Sequence, residues 1–322
     1  MAGEAATTSS DDVIAALAKI ESTERRIQIL EEMPQNQELL PGVTVSALLR
    51  HLRLELAPAP APAGCQLTPD LVYGTAGVSG RELTLHLYTR DSGGARPGVI
   101  FVHGGGWANG QPNSMSAVAS TVAGDGCVTA TISYRLSGEA RWPAAVEDAK
   151  CAVRWMRAHA DEIGVDPARI AIAGESAGGH LAAMVATTPG LWEGGGGWGS
   201  ESSEVQLAVL YCPAVDLKMG LGSQGHEAVR QFLGDTERAV EASPITHVTS
   251  HCPPVLTQVG AEDTLTPPDS AREFHRVLDT AGVRNRLDVL PGRGHGLILD
   301  PDACAAAVTN LLTSDTTKPA WL

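Results

Sequence analysis

Ile170-Ala171-Ile172-Ala173-Gly174-Glu175-Ser176-Ala177-Gly178-Gly179-His180 is the stretch on which the fold turns. Four apolar residues form a short buried strand, a serine follows between glycines, and residues 177–186 are small enough to form a closely packed helix. The pattern Gly-x-Ser-x-Gly recurs by chance in many chains. With a strand before it and a helix behind it, it has the setting that a nucleophile elbow requires. The glycines let neighbouring backbones approach, and the helix N-terminus lies beside any negative charge that develops at the serine.

Working outward, the chain from Cys65 alternates apolar runs with amphipathic ones, which predicts an α/β fold with a mostly parallel central sheet and helices on both faces. Residues 98–102, 128–133, 170–173, 205–210, 254–259 and 286–290 read as strands. Residues 81–88 alternate apolar and polar side chains, as an outer antiparallel strand does. Pro143 opens a helix with Val146, Ala149, Val153, Met156 and Ala160 on one face, and Asp148, Lys150, Arg154 and Arg157 pointing elsewhere. Further helices are expected near residues 270–281 and 302–312. Two segments break the alternation. Residues 189–203, with four glycines at 194–197 between Trp192 and Trp198, read as a flexible loop, and residues 216–246 as a small helical insertion able to roof a site.

Ahead of this domain, residues 1–56 read as a helical extension, a lid or an oligomer contact. Asp11 or Asp12 would cap its first helix, with Val13, Ile14, Leu17 and Ile20 at helical spacing. Ile27 and Leu30, then Val45, Leu48, Leu49 and Leu52, continue the pattern. Residues 57–64 alternate Ala and Pro and predict a semi-rigid linker. Residues 65–322 are left as the catalytic domain.

The second chemical motif is His103-Gly104-Gly105-Gly106-Trp107, directly after a strand. Its glycines let amides turn inward and, with the amide of Ala177, supply an oxyanion hole. His103 itself reads as structural. A nucleophilic serine needs a base, and the base needs an orienting carboxylate. Among ten histidines His295 fits, because it sits among glycines after the last strand. His180, one turn past the serine, is expected to pack on the oxyanion loop. His51, His159, His226, His247, His251 and His275 read as surface or helix residues, and His86 lies on the outer strand. The acid belongs after the strand 254–259, where Asp263 is favoured over Glu262, while Asp216 reads as structural. The order Ser176, Asp263, His295 is the one the elbow-bearing fold imposes.

Composition narrows the partners. The 322 residues are 43% hydrophobic and 4% aromatic, with a formal net charge of −14. That charge argues against nucleic acid and against an anionic membrane surface, and favours a neutral or cationic small molecule. No apolar run reaches transmembrane length, and the first residues lack the features of a signal peptide, so a cytoplasmic enzyme is expected. The six cysteines are scattered without a close pair and read as reduced thiols. No His or Cys spacing suggests a metal, and no organic cofactor is implied.

From about residue 70 to residue 312 the chain resembles α/β-hydrolases of the esterase/lipase superfamily. It is similar to the hormone-sensitive-lipase-like group and to its acetylxylan and feruloyl esterase relatives. The resemblance rests on residues 103–107, 133–136, 142–155, 174–180, 260–263 and 292–296. It implies a triad of Ser176, Asp263 and His295, with Gly104, Gly105 and Ala177 as oxyanion donors, acting on small or short-acyl esters, in a possible homodimer. An amidase, a lactonase, a biosynthetic acyltransferase and a non-catalytic binding protein remain compatible with the same residues. Residues 1–64 lie outside the resemblance.

Overall fold

The computed structural model describes residues 17, 20, 22–40, 43–77, 80–90, 93–222 and 226–313. The cap expected at Asp11 or Asp12, with Val13 and Ile14, lies outside the described residues. The described chain opens with α1 (Thr23–Glu31), the hairpin strands β1 (Glu38–Leu40) and β2 (Val43–Thr44), and α2 (Val45–Leu54). Ser22 caps α1 and Thr44 caps α2, each accepting a backbone amide on its hydroxyl. Leu30, Leu39, Val45, Leu49 and Leu52 close a small core of their own. The hairpin interrupts what the apolar spacing presents as an all-helical extension.

The main sheet then begins. In chain order its elements are β3 (Cys65–Ala76), β4 (Arg81–Arg90), β5 (Arg96–Val102), α3 (Ser116–Gly124), β6 (Val128–Ile132), α4 (Ala144–Ala158), α5 (Ala160–Ile163), β7 (Val165–Glu175) and α6 (Ala177–Thr187). They continue with β8 (Leu207–Tyr211), α7 (Leu217–Leu221), α8 (His226–Leu233), β9 (Val255–Gly260), α9 (Pro268–Thr280), β10 (Asn285–Leu290) and α10 (Pro301–Thr313). The eight strands lie in the order β10-β9-β8-β7-β5-β6-β4-β3. Pairing is parallel from β10 through β6, and antiparallel at β6–β4 and β4–β3. This is the α/β-hydrolase arrangement expected. β4 is not the edge, however: β3 lies outside it.

Alternation along the central strands shows why both faces must be covered. Ile100 and Val102 of β5 with Ile170 and Ile172 of β7 join one core, while Val99, Phe101, Ala171 and Ala173 join the other. No helix among the described residues is long and apolar enough to cross a membrane.

Three local features go beyond the sequence reading. The Ala-Pro stretch, read as a semi-rigid linker, is tied to its neighbours. Proline lacks an N–H but keeps its carbonyl, and here Ser120 donates to the carbonyl of Pro60 and Tyr88 to that of Ala59, each at 2.7 Å. The Ala59 amide in turn donates to Ser116 Oγ, so the stretch is moored to α3 and β4. On α4 the apolar stripe is not the limit of burial, since Asp148, Lys150 and Arg154 are all buried too. Asp148 is paired with Arg135, and Lys150 and Arg154 are covered because residues 189–203, read as a flexible loop, are pinned across α4. Glu193 lies 3.1 Å from Lys150 Nζ and 2.7 Å from Arg154 Nη1, and Trp198 Nε1 donates to the carbonyl of Tyr73. His275, read as a surface or helix residue, is likewise buried on α9.

Glu193 is the anionic partner that these two buried cations share. Lys150 also donates to the carbonyls of Thr188 and Leu191, and Arg154 to that of Gly197, so removal of the carboxylate is only partly compensated. Glu193→Ala should therefore lower unfolding stability by about 2–4 kcal/mol in urea melts, and Glu193→Gln by less. An unchanged midpoint in both variants would show that the carbonyls alone satisfy the cations.

Candidate active site

The topology itself makes a crevice. β5 lies between β6 on one side and β7 on the other, so the chain reverses direction across the sheet there. Loops leaving the carboxyl ends of β5 and β7 diverge and leave a cleft between them. The loop 103–107 and the turn at Ser176 both open into it.

Ser176 sits at φ 54°, ψ −116°, a conformation that an L residue adopts only where its surroundings impose it. Two glycines impose it. A Cβ on Gly174 would lie 2.2 Å from the carbonyl oxygen of Gly178, and one on Gly178 would lie 2.1 Å from that of Val102. The Ser176 amide donates to the carbonyl of Tyr211 on β8, fixing the turn from a third side. α6 starts at Ala177, so its N-terminal amides point into the cleft. Among the described residues the amides of Gly104, Gly105 and Ala177 donate to no backbone carbonyl.

The structure brings together the three residues singled out from sequence. His295 Nε2 is 2.9 Å from Ser176 Oγ, and His295 Nδ1 is 2.8 Å from Asp263 Oδ2. Because Nδ1–H donates to the carboxylate, Nε2 is left as the acceptor for the serine hydroxyl. Asp263, not Glu262, faces the imidazole; Glu262 is exposed beside it. The Asp263 carboxylate takes the amides of Leu265 and Thr266 on Oδ1, both at 2.9 Å, and the Thr266 hydroxyl on Oδ2 at 2.8 Å. Burial works to raise its pKa, but these bonds and His295 outweigh burial and hold it below the usual carboxylate value. Burial works to lower His295 as well. The hydrogen bond to Asp263 and the charges of Glu175 and Asp263 outweigh it, and the imidazole titrates above its ordinary value.

Sequence reasoning missed two residues here. Thr266 clamps Asp263 and also lies 3.2 Å from His295 Nδ1; its signal was its place three residues after the acid, where a hydroxyl can fold back on a turn. Glu175 precedes Ser176. Its carboxyl Oε1 lies 3.9 Å from His295 Nε2, and its Oε2 fills the space where a side chain on Gly104 would stand. Burial, with a contribution from Asp263, pushes Glu175 up, against the opposing pull of His295.

The other histidines divide cleanly. His103 Nδ1 bonds the carbonyl of Gly104, its ring stacks on Tyr134, and burial pushes it down to about 4. His180 accepts from Trp107 Nε1 and so donates from Nε2 to the carbonyl of Ala242, tying the loop 103–107 to the insertion. Burial pushes it too down to about 4. Asp216 caps α7 by accepting the amides of Lys218 and Met219. Cys212, Asp263 and His295 could present three ligand atoms to a metal ion within 4.8 Å of one another. Burial raises the Cys212 thiol well above its ordinary value, and Asp263 and His295 already bond each other, so this donor set suits a proton relay better than a cation.

Two cavities meet at the His295 ring. One, of about 380 Å³, is lined by Trp107, Ser176, Met219, Val229, Leu265 and others, with α7 and α8 of the insertion as its roof. The other, of about 310 Å³, is lined by Leu48, Glu55, Ser114, Glu175, Ile298 and others. A larger cavity of about 780 Å³ lies at the opposite edge of the sheet, by Asp166, Gln206, Pro254 and Arg284 at the strands' N-terminal ends; its described lining holds no serine, threonine, cysteine or lysine.

The sequence model of the BD-FAE family matches residues 85–278, a span that holds the loop 103–107, Ser176 and Asp263 but stops short of His295. The probable carboxylic ester hydrolase LipM of Mycobacterium tuberculosis is 32% identical over 64% of this chain and 50% of its own length. The match thus spans about half of that relative. The carboxylic ester hydrolase LipN of the same organism is 32% identical over 82% of this chain and 73% of its own. Among solved structures, the propionate-bound esterase Est2 of Thermogutta terrifontis superimposes with a TM-score of 0.65 at 30% identity, covering 79% of this chain and 97% of that one. On the family model and these relatives together, the chain belongs to the BD-FAE family and carries the α/β-hydrolase fold.

Proposed function

We propose that this chain is a serine carboxylesterase acting on short-acyl esters through an acyl-enzyme on Ser176. The observation that carries the reading is the continuous hydrogen-bonded line from Asp263 through His295 to Ser176 Oγ, ending in a cleft with free amides. His295 Nε2 takes the serine proton as Oγ attacks the ester carbonyl carbon. The carbonyl oxygen, now an alkoxide, is bound by the amides of Gly104, Gly105 and Ala177, where charge develops beside the N-terminus of α6. The tetrahedral species collapses, the C–O bond to the alcohol breaks, and His295 returns its proton to that oxygen. Water then repeats the sequence on the acyl-enzyme, and Ser176 and the carboxylic acid are released. Asp263 stays ionised throughout, holding the tautomer and stabilising the imidazolium.

A short acyl group suits the cavity of about 380 Å³ that Trp107 and Met219 help to line, and the related structure that holds propionate supports it. A p-nitrophenyl ester series from acetate to decanoate should show a short-chain optimum. Ser176→Ala should lower kcat by roughly 10⁴-fold or more. Full activity in Ser176→Ala would sink the mechanism.

The raised imidazole gives a second check. Catalysis needs neutral His295, so kcat/KM should fall on the acid side with an inflection above the ordinary histidine value of 6.5. Glu175 contributes to raising that group, so Glu175→Gln should move the acid limb to lower pH. A limb that stays in place would show that Glu175 is not ionised over the working range.

A further inference from the structure

The cavity walled by α2 shares Gly104, Gly105 and the His295 ring with the site, but Leu48 and Glu55 on its α2 side belong to no chemical motif read from sequence. Two features bear on what it admits. The first is its wall. Leu48 and Glu55 come from α2 and the residue just past it, far from the hydrolase sheet in sequence, and face Glu175, Ile298 and Leu299. The position is fixed: Gln111 Nε2 donates to the carbonyl of Glu55 at 2.7 Å, and α2 packs on the turns 112–115 and 297–299.

The second feature is charge. Glu55 and Glu175 both line this cavity, and its described lining contains no Lys or Arg; Glu175 is shared with the neighbouring cavity, whose second carboxylate, Asp216, caps α7. Glu55 uses one carboxylate oxygen, Oε2, to accept from Thr23 Oγ1. The Glu175 side chain is only 13% exposed, and among the described residues its carboxyl accepts no hydrogen bond; His295 Nε2, at 3.9 Å, is its nearest charged partner. A buried carboxyl without a donor is expensive to ionise. Here the missing counter-charge would have to come from what enters the cavity.

We propose that this second cavity is the leaving-group subsite of the esterase, and that Glu55 and Glu175 select alcohols bearing a positive charge, such as a quaternary ammonium. The inference rests on the esterase reading above. The cavity under α7 and α8 has the larger apolar wall, with Trp107, Met219, Val229 and Leu265, and takes the hydrocarbon acyl chain; the one walled by α2 takes the alcohol, beside the His295 ring that must protonate it. The apolar contribution of Leu48, Met115, Ile298 and Leu299 suits the methyl groups of such a cation, while the carboxylates face its charge.

The test uses an isosteric pair, the acetate ester of choline and its uncharged carbon analogue 3,3-dimethylbutyl acetate, on the full chain. Wild type should favour the choline ester by roughly 10-fold in kcat/KM at low ionic strength, with the advantage shrinking as salt is added. Glu55→Gln and Glu175→Gln should each cut that ratio. Both substrates use the same base, so any effect of Glu175→Gln on His295 cancels in the ratio. Equal or lower kcat/KM for the choline ester in wild type overturns the proposal, and because that measurement needs no variant it stands even if a substitution impairs folding. Turnover of p-nitrophenyl acetate with neither alkyl ester consumed also overturns the subsite while leaving the esterase reading intact. Loss of all three activities would instead overturn the esterase reading itself.

Discussion

The site depends on a place where three backbones meet without side chains between them. The end of β5, the end of β7 and the start of α6 come so close that a single Cβ on Gly174 or Gly178 would strike a carbonyl oxygen little more than 2 Å away. That closeness forces Ser176 into its positive φ, a conformation costing about 1–3 kcal/mol that only an over-determined setting maintains. The setting is over-determined here by the amide bond from Ser176 to Tyr211 and by helix α6, which is buried along its whole length. The turn, once fixed, places the serine oxygen and the Ala177 amide at the same mouth. The loop 103–107 then needs only to arrive from β5, and its own fixing is done by His180 and Trp107, which bridge it to the insertion.

Around the imidazole, two carboxyls with the same chemistry are driven apart by their surroundings. Asp263 is the more buried in side-chain terms, yet it is ionised easily because two amides, a hydroxyl and the imidazole all donate to it. Glu175 has none of these donors and moves the other way. Carboxyls separated in this manner take different roles. One serves as a permanent charge for the ring; the other responds to what occupies the cleft.

Much of this was legible in the sequence, for a definable reason. Ser176, Asp263 and His295 each stand where an apolar strand gives way to a glycine-rich or polar turn, and parallel strands bring such turns to one edge. What periodicity cannot see is which outer surface another segment will cover. The spacing of Val146, Ala149 and Val153 marks one buried face of α4, but Lys150 and Arg154 are buried by residues 189–203, which read as loose because of their glycines. In fact those glycines permit contact: the carbonyl of Gly196 accepts the amide of Thr75, and no side chain stands in the way. β3 was missed because half of its residues face water, it carries Pro69 and Asp70, and its register with β4 slips twice. Thr266 and Glu175 were overlooked because their importance comes from proximity after folding.

The Ala-Pro stretch shows how an apparently inert segment reaches the chemistry. A flexible tether would leave α1 and α2 free to move off the domain, and their small core would then be an appendage. Proline prevents this by pre-setting the backbone and so lowering the entropy lost when the segment docks. Ser120 holds the carbonyl of Pro60 and Tyr88 that of Ala59, so the segment is bound through the carbonyls that alternating proline leaves available. Residues 57–64 thereby fix the end of α2 beside Gln111, which anchors Glu55, which in turn closes the cavity next to Glu175. The segment that matches the hydrolase pattern least is thus mechanically continuous with the site, and pocket shape on that side is set by α2 rather than by the sheet. Relatives with the same sheet and a different leading segment would keep the relay of Asp263, His295 and Ser176 while differing in the alcohol they admit.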